Sequence, residues 1–138
     1  MSAPLRILLV DDEPSFAQAL RVTLEAQGFE CTSETDMSSA LRYLAENTVA
    51  VLVTDIMMPP GADFPKVESS ETGFHLVSLV RHRWPKTPII CLSVIGDQQK
   101  ISSLKRQGVR YLRKGEISLE RTVEIIRAVA RRSPSQSV

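Results

Sequence analysis

Five short apolar runs, separated by amphipathic segments, constrain how this chain of 138 residues can fold. The runs are LRILLV (5–10), FECTSE (29–34), VAVLVTD (49–55), TPIICLS (87–93) and VRYLRK (109–114). Apolar residues with helical spacing follow each run, over 14–28, 37–47, 73–84, 96–108 and 118–132. Regular alternation of strands and helices predicts βα units and a parallel sheet.

Most of these runs are apolar at consecutive positions, whereas FECTSE alternates and is the weaker strand. Continuous apolar strands indicate a sheet that is covered by helices on both faces. Right-handed crossovers then give a doubly wound α/β fold with ligands beyond the carboxyl ends of the strands. We therefore predict a five-stranded parallel sheet of order 2-1-3-4-5 with helices on both faces.

The length suits one domain with a full core, which we assign to residues 1–132. The last stretch, SPSQSV (133–138), is typical of a tail or the start of a linker. No apolar run approaches the ~20 residues of a membrane span, and MSAPLR lacks a signal-peptide core. The sequence therefore predicts a cytoplasmic protein that does not enter a membrane.

The net charge of +1 conceals a strong asymmetry along the chain. Residues 1–75 carry 4 Lys/Arg and 12 Asp/Glu, whereas residues 76–138 carry 13 and 4. Either the two halves attract each other across the fold, or the basic half presents a partner-binding face. Trp84 and Tyr111 are the only aromatic residues of the basic half, and no segment resembles a helix-turn-helix. We predict no direct nucleic-acid binding by this chain.

Three acidic residues follow two strands that the predicted order makes neighbours. Asp11 and Asp12 follow the first strand and Asp55 ends the third, and adjacent strands lie ~5 Å apart. Carboxylates this close repel one another unless a cation compensates, and oxygen ligands of this kind suit Mg²⁺. The alternative is that Asp11, Asp12 and Glu13 only cap the helix that starts at Pro14.

Two other strand ends carry groups that interact with phosphate. Ser93 ends the fourth strand with a hydroxyl group, and Lys114 ends the fifth with an ammonium group. A hydroxyl donor, a cation and a divalent metal around one carboxylate form a site for a phosphoryl group on Asp55.

From about residue 5 to residue 131 the sequence resembles the receiver domain of two-component response regulators, a flavodoxin-like fold. The matching motifs are LLVDDEP, VLVTDIMMP, IICLS and YLRK, in the order of that family. The resemblance implies that Asp12, Asp55 and the backbone carbonyl of Met57 bind Mg²⁺ directly, and that Asp11 acts largely through water.

The same resemblance implies the remaining roles. Asp55 would be the phosphoacceptor, Ser93 the switch hydroxyl, Lys114 the partner of the phosphoryl group and Tyr111 the switch aromatic. The donor would be a sensor histidine kinase or a histidine phosphotransfer protein. The output would be a change in the face formed by the fourth helix, fifth strand and fifth helix, which can also form a homodimer. Such a protein is a signalling module rather than a turnover enzyme.

The sequence departs from the family pattern by an insertion of roughly ten residues around 61–70, which we call the inserted segment. The proline that the family has four residues after the acceptor is present as Pro59. The glycine that opens the third helix usually lies about eight residues after the acceptor, but here it is Gly73. Loops of this length are commonly functional, although closing ten extra residues costs under ~1.5 kcal/mol. The segment is either a passive surface loop or a lid or partner element.

Other departures lie next to the expected phosphoryl group. Gly115 stands where the family usually has a cis-proline, which leaves Lys114 less firmly held. Val94 follows the expected switch serine where the family usually has Ala or Gly, and Met57 and Ile95 occupy positions that in the family help to admit or orient the hydrolytic water. Apolar residues there offer no general base, so we predict slow autodephosphorylation.

Two other functions are compatible with parts of the sequence. A degraded receiver that binds partners independently of phosphate is favoured by Gly115 and the apolar flanks, but the complete set of acids, serine and lysine argues against it. An aspartyl-phosphate phosphatase would commonly carry an acid two residues beyond the nucleophile, where this chain has Met57.

Overall fold

A five-stranded parallel sheet forms the centre of the protein, which a computed structural model describes over residues 3–94 and 97–132. The strands are β1 Arg6–Val10, β2 Glu30–Glu34, β3 Val51–Thr54, β4 Ile89–Ser93 and β5 Arg110–Arg113. Their order across the sheet is β2-β1-β3-β4-β5, and each adjacent pair is parallel. The predicted topology is confirmed.

Each strand is followed by an α-helix, as predicted. The helices are α1 Pro14–Ala26, α2 Met37–Glu46, α3 Thr72–Arg83, α4 Gln98–Arg106 and α5 Leu119–Arg131, and a 3-10 turn at Ser69–Glu71 precedes α3. None of the helices within the described ranges is long and apolar enough to cross a membrane. The tail predicted over 133–138 lies outside the described residues.

Alternate residues of the central strands supply two cores, one on each face of the sheet. In β1, Ile7 packs in the cluster that contains Leu20 of α1 and Ile126 of α5. Leu8 belongs to the cluster that contains residues of α2, α3 and α4, including Leu76. All four residues of β3 are buried, so every position of this strand must be compatible with a core.

Side-chain caps fix where two of the helices begin. Asp36 accepts a hydrogen bond from the backbone N–H of Ser39 at 2.8 Å, and α2 begins directly after Asp36, at Met37. Asp97 accepts bonds from the N–H groups of Gln99 and Lys100 and starts α4 in the same way. Such caps contribute about 1 kcal/mol each.

The inserted segment packs against the start of α2 rather than projecting from the surface. The carbonyl of Pro60 accepts a bond from the N–H of Ser38 at 3.0 Å, and the Ser38 hydroxyl accepts one from the N–H of Asp63 at 3.1 Å. Gly61 adopts a φ of 93° and lies so close to Ser38 that a Cβ would overlap its side chain. Phe64 and Val67 pack against the core under α2 and α3. These contacts make the segment an ordered extension of the fold.

Backbone hydrogen bonds close the base of the inserted segment and return the chain to the sheet. The N–H of Met58 donates to the carbonyl of Ser69 at 3.1 Å, and that of Gly73 donates to the carbonyl of Ile56 at 2.9 Å. Just after the segment, Glu71 accepts a bond from Lys100 of α4 at 2.9 Å. The insertion therefore leaves the start of α3 next to the end of β3.

Candidate functional site

Three carboxylates meet at the carboxyl end of the sheet. Asp11 and Asp12 follow β1, Asp55 follows β3, and these strands pair up to Val10 and Thr54. One oxygen of each carboxylate lies within 4.8 Å of the others. The parallel pairing of β1 and β3 thus brings together the acids that the sequence places after each strand.

The Asp55 side chain is held from two sides. Its Oδ1 accepts a hydrogen bond from the N–H of Ile56 at 2.6 Å, and its Oδ2 accepts one from the Lys114 ammonium group at 2.9 Å. The backbone N–H of Asp55 extends the strand pairing by donating to the carbonyl of Val10 at 2.9 Å. The side chain is 10% exposed.

Asp11 and Asp12 occupy different environments. Asp11 is buried and its Oδ1 accepts a bond from the N–H of Glu13 at 2.9 Å, whereas Asp12 is exposed. Burial raises the pKa of the Asp11 carboxyl group, and this effect outweighs the bonds from Lys114 and Glu13 that oppose it. Glu13, the residue directly before α1, makes no side-chain cap.

Lys114 joins two of the three carboxylates. Its Nζ lies 2.7 Å from Asp11 Oδ2, 2.9 Å from Asp55 Oδ2 and 3.7 Å from Glu13 Oε1, and its side chain is 9% exposed. Burial lowers the pKa of Lys114, but the hydrogen bonds to Asp11 and Asp55 outweigh it and leave a net increase. The ammonium group is thus held charged beside the acids.

Ser93 and Tyr111 lie next to Lys114. Ser93 is fully buried at the end of β4, and its carbonyl accepts a bond from the backbone N–H of Lys114 at 2.9 Å. The Tyr111 hydroxyl donates to the same carbonyl at 3.4 Å. Burial raises the pKa of that phenol group. The structure therefore places the predicted serine, lysine and aromatic residue at one edge.

Two of the apolar residues expected beside the phosphoryl group are exposed, Met57 by 47% and Val94 by 60%. Ile95, the third residue predicted here, lies outside the described residues. Gly115 adopts a φ of 85°, a conformation that L side chains rarely adopt.

Phe16 is a close neighbour of the site that the sequence pattern does not indicate. Its ring centroid lies 4.6 Å from Lys114 Nζ. Apolar spacing in α1 places Phe16 on the core side of the helix. From the sequence alone, an aromatic ring that contacts a charged group there looks the same as one that packs in the core. Only the side-chain geometry identifies this contact.

The donor set at this edge fits a magnesium ion by its chemistry. Asp11, Asp12 and Asp55 offer hard carboxylate oxygens, and the exposure of Asp12 leaves room for water ligands. Mg²⁺ usually takes one or two carboxylates and keeps several waters, in agreement with this mixture of buried and exposed acids.

Solved structures of similar fold are receiver domains. The receiver domain of the Francisella response regulator 1452 matches with a TM-score of 0.76 and 25% identity, covering 93% of this chain and 98% of that one. The chemotaxis response regulator CheY4 of Vibrio cholerae matches with a TM-score of 0.75 and 26% identity, covering 91% and 98%.

Sequence comparison leads to the same family. The probable transcriptional regulatory protein TcrX of Mycobacterium tuberculosis is 28% identical over 94% of this chain and 51% of its own length. The response regulator protein PilR of Pseudomonas aeruginosa is 28% identical over 91% of this chain and 26% of its own. The chain thus spans about half or less of the length of these relatives. Because residues 7–127 match the profile of the response regulator receiver domain, the chain belongs to that family of two-component signalling modules.

Proposed function

We propose that Asp55 accepts a phosphoryl group from a sensor histidine kinase or a histidine phosphotransfer protein. The observation that carries this proposal is the position of the Asp55 carboxylate, fixed by Ile56 on one side and Lys114 on the other, beside two further acids. Histidine kinases and phosphotransfer proteins are the partners with which receiver domains interact, and the family assignment supports them here.

In the proposed reaction a carboxylate oxygen of Asp55 attacks phosphorus while the bond from phosphorus to the donor breaks and its electron pair leaves with the donor. Receiver domains generally bind Mg²⁺, which would be held here by Asp11, Asp12, Asp55 and the carbonyl of Met57 and would supply positive charge for the phosphoryl oxygens. Lys114 lies 2.9 Å from Asp55 Oδ2 and can transfer its hydrogen bond to the new phosphoryl group.

The output is proposed to involve α4, β5 and α5. Ser93 would move toward the phosphoryl oxygens, and Tyr111, whose hydroxyl bonds to the Ser93 carbonyl, would follow. Phosphorylation then shifts an equilibrium between two arrangements of this face, which a partner or a second copy of the chain can bind. The protein acts as a switch, and its only chemistry is its own phosphorylation and slow dephosphorylation.

Binding of beryllofluoride, a phosphoryl mimic, tests the proposal against a receiver that works independently of phosphate. In the presence of Mg²⁺ we expect beryllofluoride to shift the NMR signals of Ser93 and Tyr111, because the Ser93 carbonyl accepts bonds from both the Lys114 backbone N–H and the Tyr111 hydroxyl. Samples that lack either Mg²⁺ or beryllium serve as controls. A spectrum that beryllofluoride leaves unchanged would favour the phosphate-independent interaction module, which Gly115 supports.

We further propose that the acyl phosphate decays slowly, because Met57 and Val94 are exposed apolar residues beside the acceptor. Met57→Asn is expected to accelerate decay about three- to tenfold by orienting a water, which is less than the ~10² of a positioned general base. The control is Val22→Asn, since Val22 is 54% exposed in α1. Loss of phosphate would be followed after labelling with a small acyl phosphate, and a wild-type half-life of seconds would contradict the proposal.

A further inference from the structure

The ammonium group of Lys114 contacts the ring of Phe16, which carries no formal charge. Its ring centroid lies 4.6 Å from Nζ, inside the ~6 Å range of cation–π attraction. The Lys114 side chain is only 9% exposed, and such attraction is strongest where water is excluded. The ammonium group therefore lies between two carboxylates and an aromatic face.

The ring contact differs from the carboxylate contacts in what phosphorylation does to it. Lys114 donates to Asp11 at 2.7 Å and to Asp55 at 2.9 Å. Phosphorylation converts the Asp55 carboxylate into an acyl phosphate, whose negative charge lies on the phosphoryl oxygens, so the ammonium group must turn to those oxygens. The attraction to Phe16 does not depend on the charge of Asp55, and it can therefore persist through this exchange.

The backbone after Lys114 gives the lysine little additional support. Gly115 has a φ of 85°, and a Cβ built on it would meet no atom within 4 Å. A residue without a side chain restricts the local chain less than others do. Side-chain contacts of Lys114 consequently have a larger share in setting the position of its ammonium group.

We propose that Phe16 is a positioning residue for Lys114, holding the ammonium group where it can pair with a phosphoryl group on Asp55. This inference rests on the proposed phosphoacceptor function. Phe16 acts through the lysine and does not touch the reacting atoms, so its effect is expected in the affinity for the bound phosphoryl group.

The affinity for beryllofluoride at saturating Mg²⁺ tests this role. Phe16→Leu keeps an apolar side chain but removes the ring, and it is expected to weaken binding about two- to thirtyfold. Phe16→Tyr retains the ring and is expected to bind within about twofold of wild type. Phe29→Leu is the matched control, because Phe29 is buried in the same core against which Phe16 packs but makes no contact with Lys114 that the structure describes. It should lower the melting temperature without weakening binding.

NMR of the protein without phosphate or beryllium separates this inference from the proposed function. The ring current of Phe16 should move the Lys114 ε-methylene protons upfield in wild type and in Phe16→Tyr, and the shift should vanish in Phe16→Leu. Upfield signals in a wild type that fails to bind beryllofluoride would support the contact and overturn the phosphoacceptor function. Unshifted protons, or equal losses of affinity in Phe16→Leu and Phe29→Leu, would overturn the positioning role.

Discussion

Asp55→Asn is expected to abolish formation of the acyl phosphate while the chain remains folded. A carboxamide oxygen is not a nucleophile toward phosphorus, and losing a nucleophile slows such reactions on the order of 10⁴-fold or more. The amide oxygen can still accept the bond from the N–H of Ile56, which is 2.6 Å long in the wild type. Lys114 keeps its bond to Asp11 at 2.7 Å, so the ammonium group is not left without a partner.

Labelling with a small acyl phosphate and Mg²⁺, followed by intact-mass measurement, checks this expectation. Wild type should gain the mass of one phosphoryl group, which hydroxylamine should remove because it cleaves acyl phosphates. Asp63→Asn is the matched control, since Asp63 is an exposed carboxylate of the inserted segment. It pairs with Arg42 of α2 at 3.4 Å. This variant should be labelled like wild type. Labelling of Asp55→Asn at the wild-type rate would show that another residue is the acceptor.

The sheet and its helices could be predicted because their signals are local in the sequence. The runs around Leu8 and Leu52 are apolar at consecutive positions, which is typical of strands in a sheet covered on both faces. Asp36 and Asp97 are good capping residues that directly precede helical periodicity, and both make the expected bonds. Strand ends shifted by one or two residues, for example from 49–55 to Val51–Thr54.

The path of the inserted segment could not be predicted, because it depends on residues that are distant along the chain. Ser38 bonds to the chain at the start of the segment, and two residues inside the segment, Phe64 and Val67, pack against the core. Proline, glycine and charged residues in this stretch indicate a loop but do not specify a neighbour. The segment packs on α2, and Glu71, which lies just after it, bonds to Lys100 of α4.

At the candidate site, the sequence predicted which residues meet but not how they bond. Asp11, Asp55 and Lys114 could be placed at one edge because parallel strands end together. That Lys114 bonds to both acids, and that burial raises the pKa of Asp11, depends on side-chain positions and exposure. The contact of Phe16 with Lys114 had no sequence signal, because an aromatic residue in a helix is ordinarily a core residue.

Gly73→Ala is expected to damage both the stability of the fold and the acceptor site. Gly73 lies where the chain returns from the inserted segment, and a Cβ there would overlap the carbonyl oxygen of Asp55 and the Cα of Ile56. These are backbone atoms that cannot rotate away, so either α3 or the end of β3 must move. Overpacking typically costs about 1–3 kcal/mol in the free energy of unfolding, and we expect the upper end of this range for a collision with backbone atoms. A displacement of Asp55 by about 1 Å can lower its reactivity 10²-fold.

Gly28→Ala provides the comparison that isolates the close approach. Gly28 has a φ of 94° and no atom within 4 Å of a built Cβ, so its substitution introduces backbone strain of about 1–2 kcal/mol without a collision. Urea denaturation should therefore show a larger loss for Gly73→Ala, and acyl phosphate labelling should fall in that variant alone. If the two variants lost equal stability and were labelled equally fast, the start of α3 would not be what holds Asp55 in place. A larger loss of stability and slower labelling in Gly73→Ala would explain how the chain accommodates about ten extra residues. After the inserted segment, the N–H of Gly73 bonds to the Ile56 carbonyl at 2.9 Å, and this contact fixes the acceptor next to the start of α3.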